Sequence, residues 1–149
     1  MDRTTELIIG WFPNLKQDEN FKITSPYNPC YNCISWALGK SNVWTWPNTP
    51  GERDGFMTWE NALGYSEDVN TFIEYYETQG YSVCNAEEQE VGTIALYTIG
   101  NDCKHVARKI ANGLWTSKLG PYHDIQHSTP QSLEGDMYGT VHCYMKKRK

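Results

Sequence analysis

The spacing of apolar residues divides the chain into a helical part followed by a strand-rich part. Cys33, Trp36 and Ala37 fall at i, i+3 and i+4, one face of a helix, and Gly39 ends the run. A second stripe, Val69, Phe72, Ile73 and Tyr76, begins after Ser66, has Glu67 and Asp68 in its first turn and stops at Gly80. It predicts a core-facing helix. Beyond it, short β-rich segments predict strands at Tyr81 to Cys84, Thr93 to Ile99, His105 to Ile110, Leu114 to Leu119 and Tyr138 to Met145. Asn112-Gly113 between two of them is a hairpin signal. Helices first and an antiparallel sheet afterwards read as an α+β fold.

The intervening segments differ in kind. Residues 1–28, with Pro13, Asn14, Ser25, Pro26 and Asn28, read as an irregular N-terminal arm. Residues 44–65 form a long aromatic loop (Trp44, Trp46, Gly55, Phe56, Trp59), either a wall of a cleft or a cover over apolar residues. The acidic run Glu87 to Glu90 reads as solvated. No internal repeat or linker interrupts residues 1–149, so one domain is expected.

Two local ambiguities bear on chemistry. Asn28 with Pro29, or else Asn32, can cap the first helix, and only the second makes Cys33 its first residue. A two-residue turn at Asn112-Gly113 puts Thr116 and Lys118 on the face of His105. A three-residue turn puts Ser117 and Leu119 there instead.

Composition narrows the function classes. A net charge of −5 leaves no footprint for nucleic acid or an anionic membrane, and Lys146 to Lys149 read as a solvated tail. No apolar run approaches membrane-spanning length, and the start lacks a secretory signal of usual form. Five scattered cysteines (Cys30, Cys33, Cys84, Cys103 and Cys143) argue against a disulfide framework and for a reducing compartment. A cytoplasmic location is the default expectation, and signal-less secretion is compatible with it. The sequence leaves the oligomeric state open.

A cysteine opening a helix, followed in chain order by a histidine opening a strand, suits thiol nucleophilic catalysis. Only the thiolate attacks, and at a pKa of about 8.5 the thiol is mostly protonated at neutral pH. A helix N-terminus and an imidazole both favour the anion. A third group is needed to orient the imidazole. Asp124 is the preferred candidate, because a carboxylate also stabilises imidazolium, with Ser117 and His127 as alternatives.

These residues carry a resemblance. Tyr31-Asn32-Cys33-x-x-Trp36-Ala37-Leu38-Gly39, His105-x-Ala107-Arg108, Trp115-x-Ser117-Lys118-Leu119-Gly120, Asp124-Ile125-x-His127 and Tyr138-Gly139 resemble the pattern of a small bacterial family. That family is similar to papain-like cysteine hydrolases of the CHAP and NlpC-like type. The resemblance implies a papain-like domain with helices packed on an antiparallel sheet. It also implies a Cys33–His105 pair, with the third position near Ser117.

The expectation is a peptidase, amidase or deamidase acting on a peptide or other amide substrate through Cys33, His105 and Asp124, without a cofactor. A backbone N–H at the helix start would hold the oxyanion, and Trp44, Trp46, Trp59 and Lys118 would contact substrate. Two other classes stand beside it. One is a binding module on the same scaffold that uses the aromatic groove. The other is a structural domain with zinc on Cys30, Cys33, Cys103 and His105.

Overall fold

The computed structural model describes residues 2–52, 57–88 and 90–148. Gly55 and Phe56 of the aromatic loop, Gln89 of the acidic run and Lys149 of the tail lie outside the described residues. The elements are α1 (Arg3–Trp11), β1 (Lys22–Ser25), α2 (Cys33–Trp36), β2 (Trp44–Thr45), β3 (Met57–Thr58) and α3 (Val69–Thr78). They continue with β4 (Tyr81–Cys84), β5 (Ile94–Ile99), β6 (Asp102–Lys109), β7 (Trp115–Lys118), β8 (Asp124–His127) and β9 (Thr140–Lys147).

Seven strands form one antiparallel sheet in the order β1-β8-β7-β6-β5-β9-β4. The fold is therefore α+β, as the alternation of apolar residues predicts. Each face of the sheet carries its own core. On one face α2 and α3 bury Ile34, Phe72 and Tyr76 against Ile94, Leu96, Val106 and Met145. On the other, α1 and the turn after it bury Ile8, Phe12 and Leu15 against Ala95, Tyr97, Ala107, Trp115 and Ile125. Such two-sided burial explains why β5 reads as a continuous apolar run instead of an alternating one.

The N-terminal arm is not irregular. Asp2 caps α1 by accepting from the Thr5 N–H at 2.7 Å, Pro13 opens a 3₁₀ turn over Pro13–Gln17, and β1 pairs with β8 at the sheet edge. The turn residues that suggested an irregular arm punctuate these short elements. The helix itself was hidden because its buried side is narrow: Ile8 is buried, while the adjacent Leu7 is exposed.

The feature that shapes the site is a fork in the sheet. Among the described residues, β6 and β7 pair at Arg108↔Thr116 and Lys109↔Trp115 and then separate. β7 continues with β8 through Lys118↔Asp124, and the Leu119 N–H goes on to the His123 carbonyl at 3.0 Å. β6 continues with β5, with a register shift where Tyr97↔His105 gives way to Thr98↔Cys103. The register around Asn112-Gly113 is that of the three-residue alternative, with Asn112 at φ 66°. Ser117 and Leu119 therefore share the face of His105. Helix α2 packs against both β6 and β7, over the mouth of the fork.

Candidate functional site

Asn32 decides where the site begins. Its buried Oδ1 accepts from the Ser35 N–H (3.3 Å), the Ser35 hydroxyl (3.0 Å) and the Thr45 N–H (3.2 Å), and its Nδ2 donates to the Thr45 carbonyl (2.7 Å). It thereby caps α2 and ties the helix start to β2. Of the two sequence alternatives, this is the one that makes Cys33 the first helical residue. Asn28 is spent on a local turn, accepting from the Cys30 N–H at 2.9 Å. Two further bonds fix the helix: Trp36 Nε1 donates to Thr116 Oγ1 (3.0 Å) and Tyr76 donates to the Ile34 carbonyl (2.9 Å).

Cys33 is buried, and burial pushes its thiol up to about 11. The backbone N–H groups of Val106, Ile34 and Cys33 itself, and the nearby Lys118, pull the other way without prevailing. The expected depressed thiol is not found at rest, because desolvation of the anion outweighs these donors. The Val106 contribution follows from the fork. A strand that has left its neighbour has N–H groups free to face a side chain lodged in the gap.

His105 precedes Val106 on β6. It is fully buried, and neither ring nitrogen has a hydrogen-bond partner. Its ring stacks on Tyr138 with centroids 4.1 Å apart and planes 1° from parallel, and it meets Tyr97 at 5.2 Å and 58°. Burial, with a smaller contribution from His127, holds its pKa well below the ordinary histidine value, so the imidazole is neutral. His105 pairs with Tyr97 and so points to the α1 face, whereas Cys33 belongs to the core on the α3 face. Tyr138 reaches both sides of the fork, stacking on His105 while lining the pocket that holds Cys33.

None of the three candidate orienters is hydrogen-bonded to His105. Asp124 accepts from the Tyr31 hydroxyl at 2.8 Å, and its other oxygen is buried without a partner. It faces the α2 side, opposite Lys118 in the ladder, because alternation along β8 separates it from the imidazole's face. Ser117 and His127 bond each other, Oγ to Nε2 at 2.8 Å, and His127 Nδ1 meets the Thr129 carbonyl at 2.8 Å. This expectation failed because a polar residue's availability depends on its other neighbours, which spacing does not reveal.

The substrate-contact candidates divide. Trp44 and Trp46 line a cavity of about 250 Å³ together with Asn32, Cys33, Lys104, Gly120, Pro121 and Tyr138. Trp59 does not reach it. It is buried, stacks on Tyr75 at 5.2 Å and donates to the Gly64 carbonyl at 2.7 Å. Lys118 is also withdrawn: its ammonium donates to the Asn28 (2.7 Å) and Gly120 (2.6 Å) carbonyls and sits 4.5 Å above the Tyr31 ring. Burial lowers its pKa to about 8, with Asp124 opposing. Lys118 thus staples the loop before Cys33 to the turn after β7. Sequence reasoning missed Tyr138 and Lys104 as pocket walls. The Tyr138-Gly139 pair was the available signal, since Gly139 adopts φ 76° where a side chain would collide with the Thr98 carbonyl.

Cys30, Cys33, Cys103 and Cys143 carry free thiols, Cys30 exposed and Cys103 buried. Among the described residues no group of three or more His, Cys, Asp or Glu side chains is placed to hold a metal ion, which leaves the zinc alternative without a ligand set. No helix among them is long and apolar enough to cross a membrane.

No curated protein and no solved structure matches the chain significantly. Residues 22–146, from β1 almost to the end of β9 and including every pocket and fork residue discussed above, match the family described as Domain of unknown function (DUF7689), and the chain belongs to that family.

Proposed function

We propose that the protein is a cysteine-dependent hydrolase of an amide bond, with Cys33 as nucleophile and His105 as proton acceptor and donor, on a papain-like arrangement of helix and sheet. The observation that carries this reading is the buried imidazole with two unpaired nitrogens. An uncompensated polar group in a core is costly and rare, and such groups collect where chemistry needs them. It lies at the same fork as a thiol that faces an aromatic-walled cavity.

The resting state suits a neutral pair. At pH 7 the thiol is protonated and the imidazole is a free base, so the base takes the proton as sulfur attacks. The S–C bond forms, the carbonyl oxygen becomes an oxyanion, and backbone N–H groups about Cys33 stabilise it. Collapse expels the amine, which takes the proton from imidazolium. Water, deprotonated by the same imidazole, then releases the acid and restores the thiol. The hydrophobic walls Trp44 and Trp46 hold the substrate against Cys33. Productive attack requires imidazole and thiol to close the fork between them on substrate entry.

The decisive experiment follows alkylation of each cysteine against pH by mass spectrometry, in the native protein and in His105→Ala. Cys33 labelling that slows at least about tenfold in His105→Ala, and that a peptide amide probe in the pocket protects against, is expected. A Cys33 that stays inert with and without the probe would sink the nucleophile assignment. The unactivated resting thiol favours a second reading, a binding module that uses the same aromatic cavity. That reading predicts tryptophan fluorescence changes with a ligand and no turnover.

A further inference from the structure

We infer that Tyr138 is the positioning residue of His105, supplying by ring stacking the orientation that a polar third residue would otherwise give. This rests on the hydrolase reading above and names a residue that the sequence pattern did not single out for the role.

Elimination starts the argument. An imidazole that must present one nitrogen to a thiol needs a fixed ring plane, and a hydrogen-bonded orienter is the usual means. Here both nitrogens are unpartnered, Asp124 is held by Tyr31, and Ser117 and His127 are held by each other. What holds the ring plane is aromatic: Tyr138 lies parallel on it at 4.1 Å, and Tyr97 closes a second side at 5.2 Å. Parallel stacking over a full ring face restricts tilt while leaving the in-plane nitrogens free.

Tyr138 is itself held firmly. Gly135 and Gly139 bond each other in both directions, N–H to carbonyl at 3.0 and 2.8 Å, and close a short loop with Tyr138 at its end. A Cβ at Gly139 would collide with the Thr98 carbonyl oxygen, so the loop is seated directly on β5. Phe12 packs on the Tyr138 ring at 4.9 Å. The same ring walls the Cys33 cavity and an adjoining one of about 250 Å³ that runs on toward Trp11, Tyr122 and Met137. Substrate filling either cavity therefore presses on the residue that sets the base.

The groups that face His105 are His127 from β8, Tyr97 from β5 and Tyr138 before β9. Lys104 is its chain neighbour, the Cys103 thiol bonds to the His105 carbonyl, and Cys33 belongs to the core on the other face of the sheet. Of the two tyrosines, Tyr138 is the one stacked parallel on the imidazole, and phenylalanine there keeps the stacked face while removing only a hydroxyl.

The test compares Tyr138→Phe with Tyr138→Leu and Tyr138→Met in the full chain. Histidine carbon-labelled NMR gives the titration of His105, assigned with His105→Gln. Cysteine alkylation against pH gives the thiol profile. With Phe, both curves are expected to stay within about 0.3 pH unit of the parent. With Leu or Met, the imidazole should titrate at least about one unit higher as its cover is lost, and Cys33 alkylation should slow at least about tenfold. Equal effects of Phe and Leu would overturn the proposal by assigning the role to the hydroxyl. An unmoved His105 titration in Leu and Met would overturn it outright. Should Leu and Met shift the imidazole while Cys33 is inert in the parent as well, Tyr138 positions His105 but the hydrolase reading has failed.

Discussion

Two buried histidines stand on one face of the same sheet and are treated in opposite ways. His127 has both nitrogens engaged, by Ser117 and by the Thr129 carbonyl, and joins β7, β8 and the following turn into one unit. His105 is just as buried, two strands away, and neither of its ring nitrogens is engaged. Burial alone therefore does not separate a structural imidazole from a functional one. The two differ in how their nitrogens are satisfied: a satisfied group stabilises the fold, whereas an unsatisfied one costs it, and the proposed role of His105 rests on that difference.

The sharpest way to break this contrast is to remove each ring. His127→Leu strands the buried Ser117 hydroxyl and takes away the partner of the Thr129 carbonyl, and should cost about 2–4 kcal/mol. His105→Leu removes two unpaired nitrogens, fills the same space with apolar atoms, and should shift stability by no more than about 1 kcal/mol in either direction. Urea unfolding of the two variants beside the parent decides it. A loss at His105 as large as at His127 would make both rings structural.

Acid should expose the same contrast more gently. His127 is pushed down to about 4 by burial, and His105 is also well below the ordinary histidine value. A group whose folded pKa is depressed contributes stability above its unfolded pKa, near 6.5, and that contribution is lost as pH falls toward the folded pKa. Stability should therefore decline between about pH 6.5 and 4, by the order of 2 kcal/mol from His127. The decline should be smaller in either leucine variant and smallest in the double variant. Asp18, held below the usual carboxylate range by Ser128 and Ser132, adds its loss at still lower pH. A pH-independent midpoint across this window would mean that the histidines titrate alike folded and unfolded.

The contrast also marks what the sequence could and could not convey. Cys33 at a helix start and His105 in a strand were legible because caps and alternation are local: Asn32, Gly39 and the hairpin at Asn112-Gly113 lie within a few residues of what they specify. The third group was not legible. Asp124 is taken by Tyr31, ninety-three positions earlier, and Ser117 by His127. Trp59 and Trp46 look equivalent in the aromatic loop, yet one donates to the Gly64 carbonyl in the core and the other walls the pocket. The fork itself depends on where the β6–β7 ladder ends, a choice made by bulge and twist that no apolar pattern encodes.

The smallest expected effect tests how Cys33 is held opposite the unsatisfied histidine. Asn32 does two jobs, capping α2 and bonding both the N–H and the carbonyl of Thr45. Asn32→Ser retains an efficient cap but is too short to keep both Thr45 bonds, so it should cost about 1 kcal/mol in unfolding. If the cap alone places the thiol, Cys33 alkylation should stay within about twofold of the parent at every pH. A larger change in alkylation, in a variant that still unfolds cooperatively, would move control of the thiol from the helix start to the Trp44–Thr45 strand. The wall of the aromatic pocket and the position of the proposed nucleophile would then be set by the same side chain, and ligand binding at Trp44 would be felt directly at Cys33.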